Sequence, residues 1–115
     1  MATDAFRFGE FMFHPENREL VRGAERVDLN SRYLDALHLL VRDAGALVTK
    51  DRFLDEVWRG VPVTDEALTQ CIKTLRKALD DDASSPRFIE TVPKHGYRFI
   101  ATVELHLPAG DIASP

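Results

Sequence analysis

The sequence contains few of the residues on which several classes of protein depend. Cys71 is the one cysteine in 115 residues, so an intrachain disulfide and a cysteine-rich metal site are both excluded. No stretch approaches the roughly 18 consecutive apolar residues that a membrane-spanning helix requires. Residues 1–7 also lack the apolar run of a secretory signal peptide. These absences predict a soluble, cytoplasmic protein.

Residue patterns typical of enzymes and metal sites are missing as well. The histidines share no metal-ligand spacing, and Cys71 has no histidine three or four residues away. The chain has no glycine-rich phosphate loop, and Ser31, Ser84 and Ser85 do not lie in the glycine-flanked turn of hydrolases. The sequence therefore predicts no catalytic residue, no metal ion and no cofactor.

The net charge is the least favourable feature for a protein that binds nucleic acid. It is −4 at pH 7, whereas dedicated DNA-binding domains are often basic. The distribution of charge is more favourable, because the last third of the domain holds several cations: Lys73, Arg76, Lys77, Arg87, Lys94 and Arg98. Much of the acid there is confined to one run, Asp80–Asp82. The chain can therefore present a basic face despite its overall charge.

Apolar periodicity divides the chain into strands, helices and a hairpin. Alternating residues predict an antiparallel sheet with strands around Phe6–Phe8, Glu19–Val21 and Val27–Leu29. Helical spacing then predicts three helices with the N-caps Asn30, Thr49 and Thr64. Gly45 is expected to follow the first helix with a positive φ, and Gly60 and Pro62 to end the second.

The third predicted helix, residues 64–80, carries the most informative pattern. Its narrow apolar stripe consists of Leu68, Ile72, Leu75 and Leu79. The opposite face is polar, with a glutamine that suits adenine, threonines that suit the thymine methyl group, and cations that suit guanine or phosphate. On an isolated helix, a face of this kind is more often merely solvated.

The neighbours of this helix favour DNA binding. A short link, Arg59–Val63, separates it from the second helix. Two β-rich runs, Phe88–Val92 and Tyr97–Ala101, predict a hairpin with the four-residue tip Pro93–Gly96, in which Gly96 is expected to take a positive φ. The cation and the imidazole at the tip suit a minor groove or phosphates. This order predicts a helix-turn-helix followed by a wing.

Several segments resemble the OmpR/PhoB-type winged-helix regulators. They are the second helix with its Val48–Lys50 cap, the run Val63–Leu79, and the hairpin Ile89–Phe99 with its Thr-Val-x-x-x-Gly-Tyr-Arg-Phe pattern. The resemblance covers Phe6–Val103. It implies an α+β fold with four N-terminal strands, three helices and a C-terminal hairpin, so that Phe6–Phe13, broken at Gly9, supplies two strands.

The resemblance also implies which residues face DNA. They are Thr69, Gln70, Lys73, Thr74, Arg76 and Lys77 in the helix, and Thr91, Lys94, His95 and Arg98 around the wing. Helix 64–80 is expected in the major groove and residues 93–96 at the minor groove. If roughly five cations met phosphates, log affinity would fall with log salt concentration at a slope of about −4 to −5.

Partners follow from the same resemblance. It implies double-stranded promoter DNA with direct repeats, a homodimer formed on that DNA, and contact with RNA polymerase through Arg59, Val61 and Val63. The alternative hypothesis is a protein-interaction module on a winged-helix fold that has lost DNA binding, which the acidic net charge permits.

The hairpin tip points to one branch of these regulators. Pro93-Lys94 stands where many members have Arg-Gly, and it is similar to the membrane-anchored ToxR/CadC-like one-component regulators. Because Met1 lies just before the first strand, we expect no receiver domain ahead of it, which agrees with that branch. We expect a DNA-binding domain over residues 1–105 and a linker over residues 106–115. Thr74, where phosphoregulators often carry arginine, predicts a different target sequence.

Overall fold

The computed structural model describes residues 5–106, which form two antiparallel sheets and three helices. The elements before the second helix are β1 (Ala5–Phe8), β2 (Phe11–His14), β3 (Glu19–Arg22), β4 (Glu25–Val27), α1 (Ser31–Arg42) and β5 (Leu47–Thr49). They are followed by α2 (Lys50–Glu56), α3 (Asp65–Ala78), β6 (Ile89–Val92), β7 (Gly96–Phe99) and β8 (Glu104–His106). This order confirms the predicted α+β class.

The N-terminal sheet has the strand order β4-β3-β2-β1-β8. Its first four strands confirm the number that the family resemblance implied. The predicted strand Val27–Leu29 was wrong, because a two-residue turn at Gly23 pairs Arg22 with Glu25 and starts β4 two residues earlier. The strand β8 was not predicted. Residues 107–115 lie outside the described residues, so the proposed linker stays a prediction.

The N-caps of all three helices were predicted correctly. The side chains of Asn30, Thr49 and Thr64 accept hydrogen bonds from the backbone N–H groups three residues later, at 3.1, 3.2 and 3.3 Å. The second helix was predicted too long, because Arg59 and Gly60 take φ angles of 52° and 82° and so end it early. The link between α2 and α3 is therefore residues 57–64, longer than the predicted Arg59–Val63.

Aromatic rings join the two sheets in one core. Phe8 of β1 lies 5.1 Å from Phe99 of β7 between ring centroids, and Phe11 of β2 lies 5.7 Å from Phe88. The predicted apolar stripe of α3 is buried against this core. Cys71 is buried there too, and burial raises the pKa of its thiol to about 12, so it stays protonated and unreactive at neutral pH.

The second sheet has the order β5-β7-β6 and attaches the wing to the helices. The strand β5, which was not predicted, pairs Val48 with Tyr97. Beyond its two ends, Gly45 N–H donates to the Phe99 carbonyl at 2.8 Å and Lys50 N–H donates to the His95 carbonyl at 3.1 Å. Gly45 has the predicted positive φ, 88°.

The wing tip differs from the prediction in one detail. The loop between β6 and β7 has three residues instead of four, and Lys94 within it takes a φ of 70°. Gly96, the first residue of β7, has the predicted positive φ, 159°. A glycine is required there because a Cβ atom would collide with the carbonyl oxygen of Val48 and the Cα of Thr49.

We expect Gly96→Ala to lower the free energy of unfolding by about 3 kcal/mol, because the added methyl group overpacks the contact with β5. The matched control is Gly23→Ala, whose Cβ would meet no atom within 4 Å and which costs only the left-handed backbone, about 1 kcal/mol. Urea unfolding followed by circular dichroism measures both. Equal losses in the two variants would contradict the close approach of β5 and β7.

Candidate nucleic-acid interface

The polar face of α3 is open to solvent where the sequence predicted a DNA-facing surface. Thr69, Gln70, Lys73 and Lys77 are exposed, and Thr74 is half-buried. The apolar stripe holds the opposite side of the helix in the core. The helix therefore presents hydrogen-bonding groups outward, with its positive charge in the C-terminal half.

A shallow concavity of about 840 Å³ runs along this face. It is lined by Gln70, Lys73, Thr74, Arg76, Lys77 and residues 80–83. The structure thus brings together all but one of the residues predicted on the helix, with Thr69 lying outside the concavity. The acidic run 80–82 forms one rim, so positive potential is confined to the helix side.

The predicted wing residues differ in solvent exposure and in hydrogen bonding. Thr91, Lys94 and His95 are exposed at or next to the tip. Arg98 is half-buried, and its Nη1 donates to Oε1 of Glu90, its partner in the β6–β7 register, at 3.1 Å. The charge of Arg98 is therefore largely compensated within the hairpin.

Arg76 is also engaged within the protein. Its guanidinium donates from Nε and Nη2 to the carbonyl oxygen of Ile89, at 3.3 and 3.0 Å, and from Nη2 to Oγ1 of Thr91 at 2.7 Å. These bonds connect α3 with β6. Of the residues predicted to face DNA, Arg76 is thus one that lies between the helix and the wing.

One basic residue near the interface was missed at the level of sequence. Lys50 begins α2, and its backbone N–H bonds to the His95 carbonyl at the wing tip. All the lysines of the chain consequently lie on α3, at the wing tip, or at the start of α2 beside that tip: Lys73 and Lys77, Lys94, and Lys50. Within residues 5–106, none of their side chains has a hydrogen-bond or ion-pair partner. Only the long-range pairing of β5 with β7 places Lys50 here, so the sequence carried no signal for it.

The acidic run after α3 has a structural role that the sequence did not explain. Asp80 takes a φ of 58°, its N–H donates to the Lys77 carbonyl at 3.2 Å, and the N–H of Asp81 donates to the Arg76 carbonyl at 2.8 Å. This is the hydrogen-bond pattern of a Schellman helix end. Hydrogen bonds from Ser84 hold the pKa of Asp82 below its usual range.

Asp81 connects the end of α3 to β6, the first strand of the wing. Its carboxylate accepts hydrogen bonds from the backbone N–H groups of Arg87, Phe88 and Ile89, at 2.7, 3.3 and 2.9 Å. A carboxylate that bonds several N–H groups fixes the path of the chain around it. The acid in this turn is therefore part of the fold.

The described residues contain neither a candidate metal site nor a membrane-spanning helix. Between residues 5 and 106 there is no group of three or more His, Cys, Asp or Glu side chains that could hold a metal ion. In the same part of the chain, no helix is long and apolar enough to cross a membrane. A surface of exposed lysines, a glutamine and threonines on a helix beside a hairpin has the chemistry of a protein that contacts duplex DNA.

Residues 23–99 match the family model described as "Transcriptional regulatory protein, C terminal". The chain belongs to this family, whose members are transcription regulators and not enzymes. It is a winged-helix DNA-binding domain of the OmpR/PhoB type.

Individual relatives place the chain beside one branch of that family. It is 35% identical to the transcriptional activator CadC of Escherichia coli over 90% of its own length and 20% of that protein. It is 39% identical to the cholera toxin transcriptional activator of Vibrio cholerae over 83% of its length and 34% of that protein. The chain thus spans about a fifth to a third of these two relatives.

Solved structures agree with the sequence relatives. The DNA-binding domain of E. coli CadC superposes with a TM-score of 0.78 at 33% identity, covering 92% of this chain and 100% of that one. The Klebsiella pneumoniae RstA DNA-binding domain, solved in complex with the RstA box, gives a TM-score of 0.75 at 35% identity, covering 84% and 96%. Both comparisons confirm the predicted winged helix.

We expect Asp80→Gly to raise the free energy of unfolding by about 1 kcal/mol, because glycine adopts the left-handed conformation of this helix end without steric cost. The change also removes a negative charge from the C-terminal end of the helix dipole. In the control Asp55→Gly, within α2, the same replacement should lower stability by about 0.5–1 kcal/mol. A loss of stability in both variants, measured by thermal unfolding, would contradict the role of Asp80 as a left-handed cap.

Proposed function

We propose that the chain binds duplex DNA sequence-specifically, with α3 in the major groove and the wing tip, residues 93–95, at the minor groove. The observation that carries this proposal is the gathering of the lysines on α3 and at the wing tip, with Lys50 at the start of α2 beside that tip. The 14 residues of α3 span about 21 Å and fit a groove about 12 Å wide. The complex of the similar RstA domain with the RstA box supports the same assignment here.

Different residues have different tasks in this proposal. Gln70, with Thr69 and Thr74, contacts base edges, because amide and hydroxyl groups match the donors and acceptors displayed in the major groove. Lysines bind phosphates as flexible point charges. Arg76 and Arg98, which are bonded within the protein, support the wing.

The number of exposed cations determines the salt dependence. Lys73, Lys77 and Lys94 are exposed and Lys50 is half-buried, so three to four lysines, and not the roughly five cations counted from sequence, are available to displace counterions from phosphates. Each such contact contributes about −0.9 to the slope of log affinity against log salt concentration, so we expect a slope of about −3 to −4.

The proposal extends to the larger protein of which such a domain is part. Two copies bind direct repeats in a promoter as a dimer formed on DNA. The domain includes His106, the last residue of β8, and residues 107–115 are a linker. The regulator is of the one-component type, works from the cytoplasm, and any membrane anchor lies in a further region. The similarity to CadC and to the cholera toxin activator supports this placement.

The link between α2 and α3 is the proposed contact with RNA polymerase. Arg32 of α1 holds it, since Nη1 donates to the Val57 carbonyl at 2.9 Å and the guanidinium lies 5.8 Å from the Trp58 ring centroid. Of the residues assigned to this contact, Arg59 and Val61 are exposed, and Val63 packs against the core. Val61 is 53% exposed, so its apolar side chain is accessible to a partner.

The DNA-binding proposal is tested with the 115-residue chain and a random-sequence duplex library. Repeated selection should enrich one motif, and the duplex recovered in this way serves as the fluorescent probe. Gln70→Ala should reduce the preference for this duplex over a scrambled one. Lys77→Ala should weaken both equally and make the salt slope less steep by about 1.

The matched control for these variants is Arg26→Ala, which removes an exposed cation from β4 in the other sheet. It should leave the slope unchanged. If no motif were enriched while circular dichroism showed a folded chain, sequence-specific binding would be refuted. An equal effect of Arg26→Ala and Lys77→Ala would refute the assignment of the lysine surface.

The polymerase contact predicts that DNA binding and activation can be separated. Val61→Ser should leave the affinity for the selected duplex unchanged and reduce transcript yield several-fold with purified polymerase on a promoter carrying that duplex. Leu105→Ser is the control, because Leu105 is exposed to the same degree, 54%, but belongs to β8. Equal transcription from both variants and the unsubstituted chain would refute a contact at Val61.

A further inference from the structure

The first residue of the wing is bonded on both of its backbone polar groups by side chains of opposite charge. Asp81 accepts the Ile89 N–H at 2.9 Å, and Arg76 donates to the Ile89 carbonyl from two nitrogen atoms. Both charged residues lie at the C-terminal end of α3 or directly after it. The strand β6 therefore cannot shift along the recognition helix without breaking these charged hydrogen bonds, which are stronger than neutral ones.

Arg76 reaches beyond Ile89 to an exposed hydroxyl group. Its Nη2 donates to Oγ1 of Thr91 at 2.7 Å. A threonine hydroxyl has one hydrogen to donate and two lone pairs that accept. Since Arg76 occupies a lone pair, the hydroxyl hydrogen must point to a different acceptor. Within residues 5–106, Thr91 donates this hydrogen to no other group.

The position of Thr91 defines which acceptor this is. It lies on β6 two residues before the tip, opposite Tyr97, and is exposed on the strand that Arg76 joins to the recognition helix. On the proposed DNA-bound domain, the acceptors next to a hairpin beside the recognition helix are phosphate oxygens. A hydroxyl that already accepts a bond from a cation is also a better donor, because hydrogen bonds in a chain polarise one another.

We infer that Arg76 is a positioning residue that orients the Thr91 hydroxyl as a hydrogen-bond donor to a DNA phosphate. This inference rests on the proposed function. It assigns Arg76 a task different from direct DNA contact, since leaving for a phosphate would break its bonds to Ile89 and Thr91. Thr91 contacts the DNA, and Arg76 acts through it.

A double-mutant cycle on the 115-residue chain tests this assignment, with the selected fluorescent duplex as the probe. Thr91→Val removes the hydroxyl at nearly constant shape and should weaken binding about fivefold, as for one hydrogen bond of ordinary net strength. Thr91→Ser restores the hydroxyl and should bind within about twofold of the unsubstituted chain. Arg76→Lys keeps the charge but loses the forked donor, and should weaken binding about as much as Thr91→Val with an unchanged salt slope.

The double variant Arg76→Lys/Thr91→Val decides the outcome. If Arg76 acts through Thr91, the double variant should bind no more weakly than the weaker single variant. If Arg76 contacts DNA separately, the losses should multiply to about 25-fold, and the inference would be overturned. Near-normal binding by Arg76→Lys would overturn it too.

A second measurement covers the case in which Arg76→Lys does not fold. In the unsubstituted chain, NMR hydrogen exchange at Arg76 Nε, which bonds to Ile89, should remain slow after the duplex is added. Faster exchange on DNA binding would show that Arg76 leaves the wing, and would refute the inference. Failure of the unsubstituted chain to bind the duplex would refute the proposed function itself, whereas multiplied losses with normal parent binding refute only the role of Arg76.

Discussion

The antiparallel pairing of β5 with β7 makes the wing and the helices one unit. β5 is three residues long, yet it lies between α1 and α2 and so connects both helices to the central strand of the wing sheet. Backbone bonds continue past both of its ends, at Gly45 and Lys50. The close approach that this pairing requires leaves no space for a side chain at Gly96. Because the wing tip is fixed to the beginning of α2, the wing and the helix-turn-helix can meet DNA as a single rigid surface.

A second connection joins the wing to the recognition helix from the opposite side. Asp81 and Arg76 hold Ile89, so β6 is fixed to the end of α3 just as β7 is fixed to β5. The acidic run, which opposes DNA binding by charge alone, is present because the helix end and the start of β6 need its hydrogen bonds. In a net-acidic domain, part of the acid beside α3 thus has a structural cause, and the lysines remain the groups proposed to bind phosphates.

Local rules allowed the sequence to predict the helices and their caps. Asn30 and Thr64 accept bonds from groups three residues away, and the stripe of α3 follows helical periodicity, so nearby residues contain the information. The strands β5 and β8 escaped prediction because three residues carry little pattern and gain their structure from distant partners, such as Tyr97 for Val48. The polar, solvent-exposed side of α3 was predicted for the same local reason as its core. Whether a cation on that side has a hydrogen-bond or ion-pair partner within the protein could not be predicted from the sequence.

The different bonding of arginine and lysine side chains explains why the number of free cations could not be predicted from the sequence. Most arginines make hydrogen bonds within the protein: Arg18, Arg22, Arg32, Arg42, Arg52, Arg76, Arg87 and Arg98. Their planar forks can bond two acceptors at once, which suits them to connecting backbone segments. Lysines lack this geometry and remain hydrated point charges at the surface. A count of cations along α3 and the wing therefore overestimates the charge available to DNA. The arginines in that count are the cations already bonded within the protein.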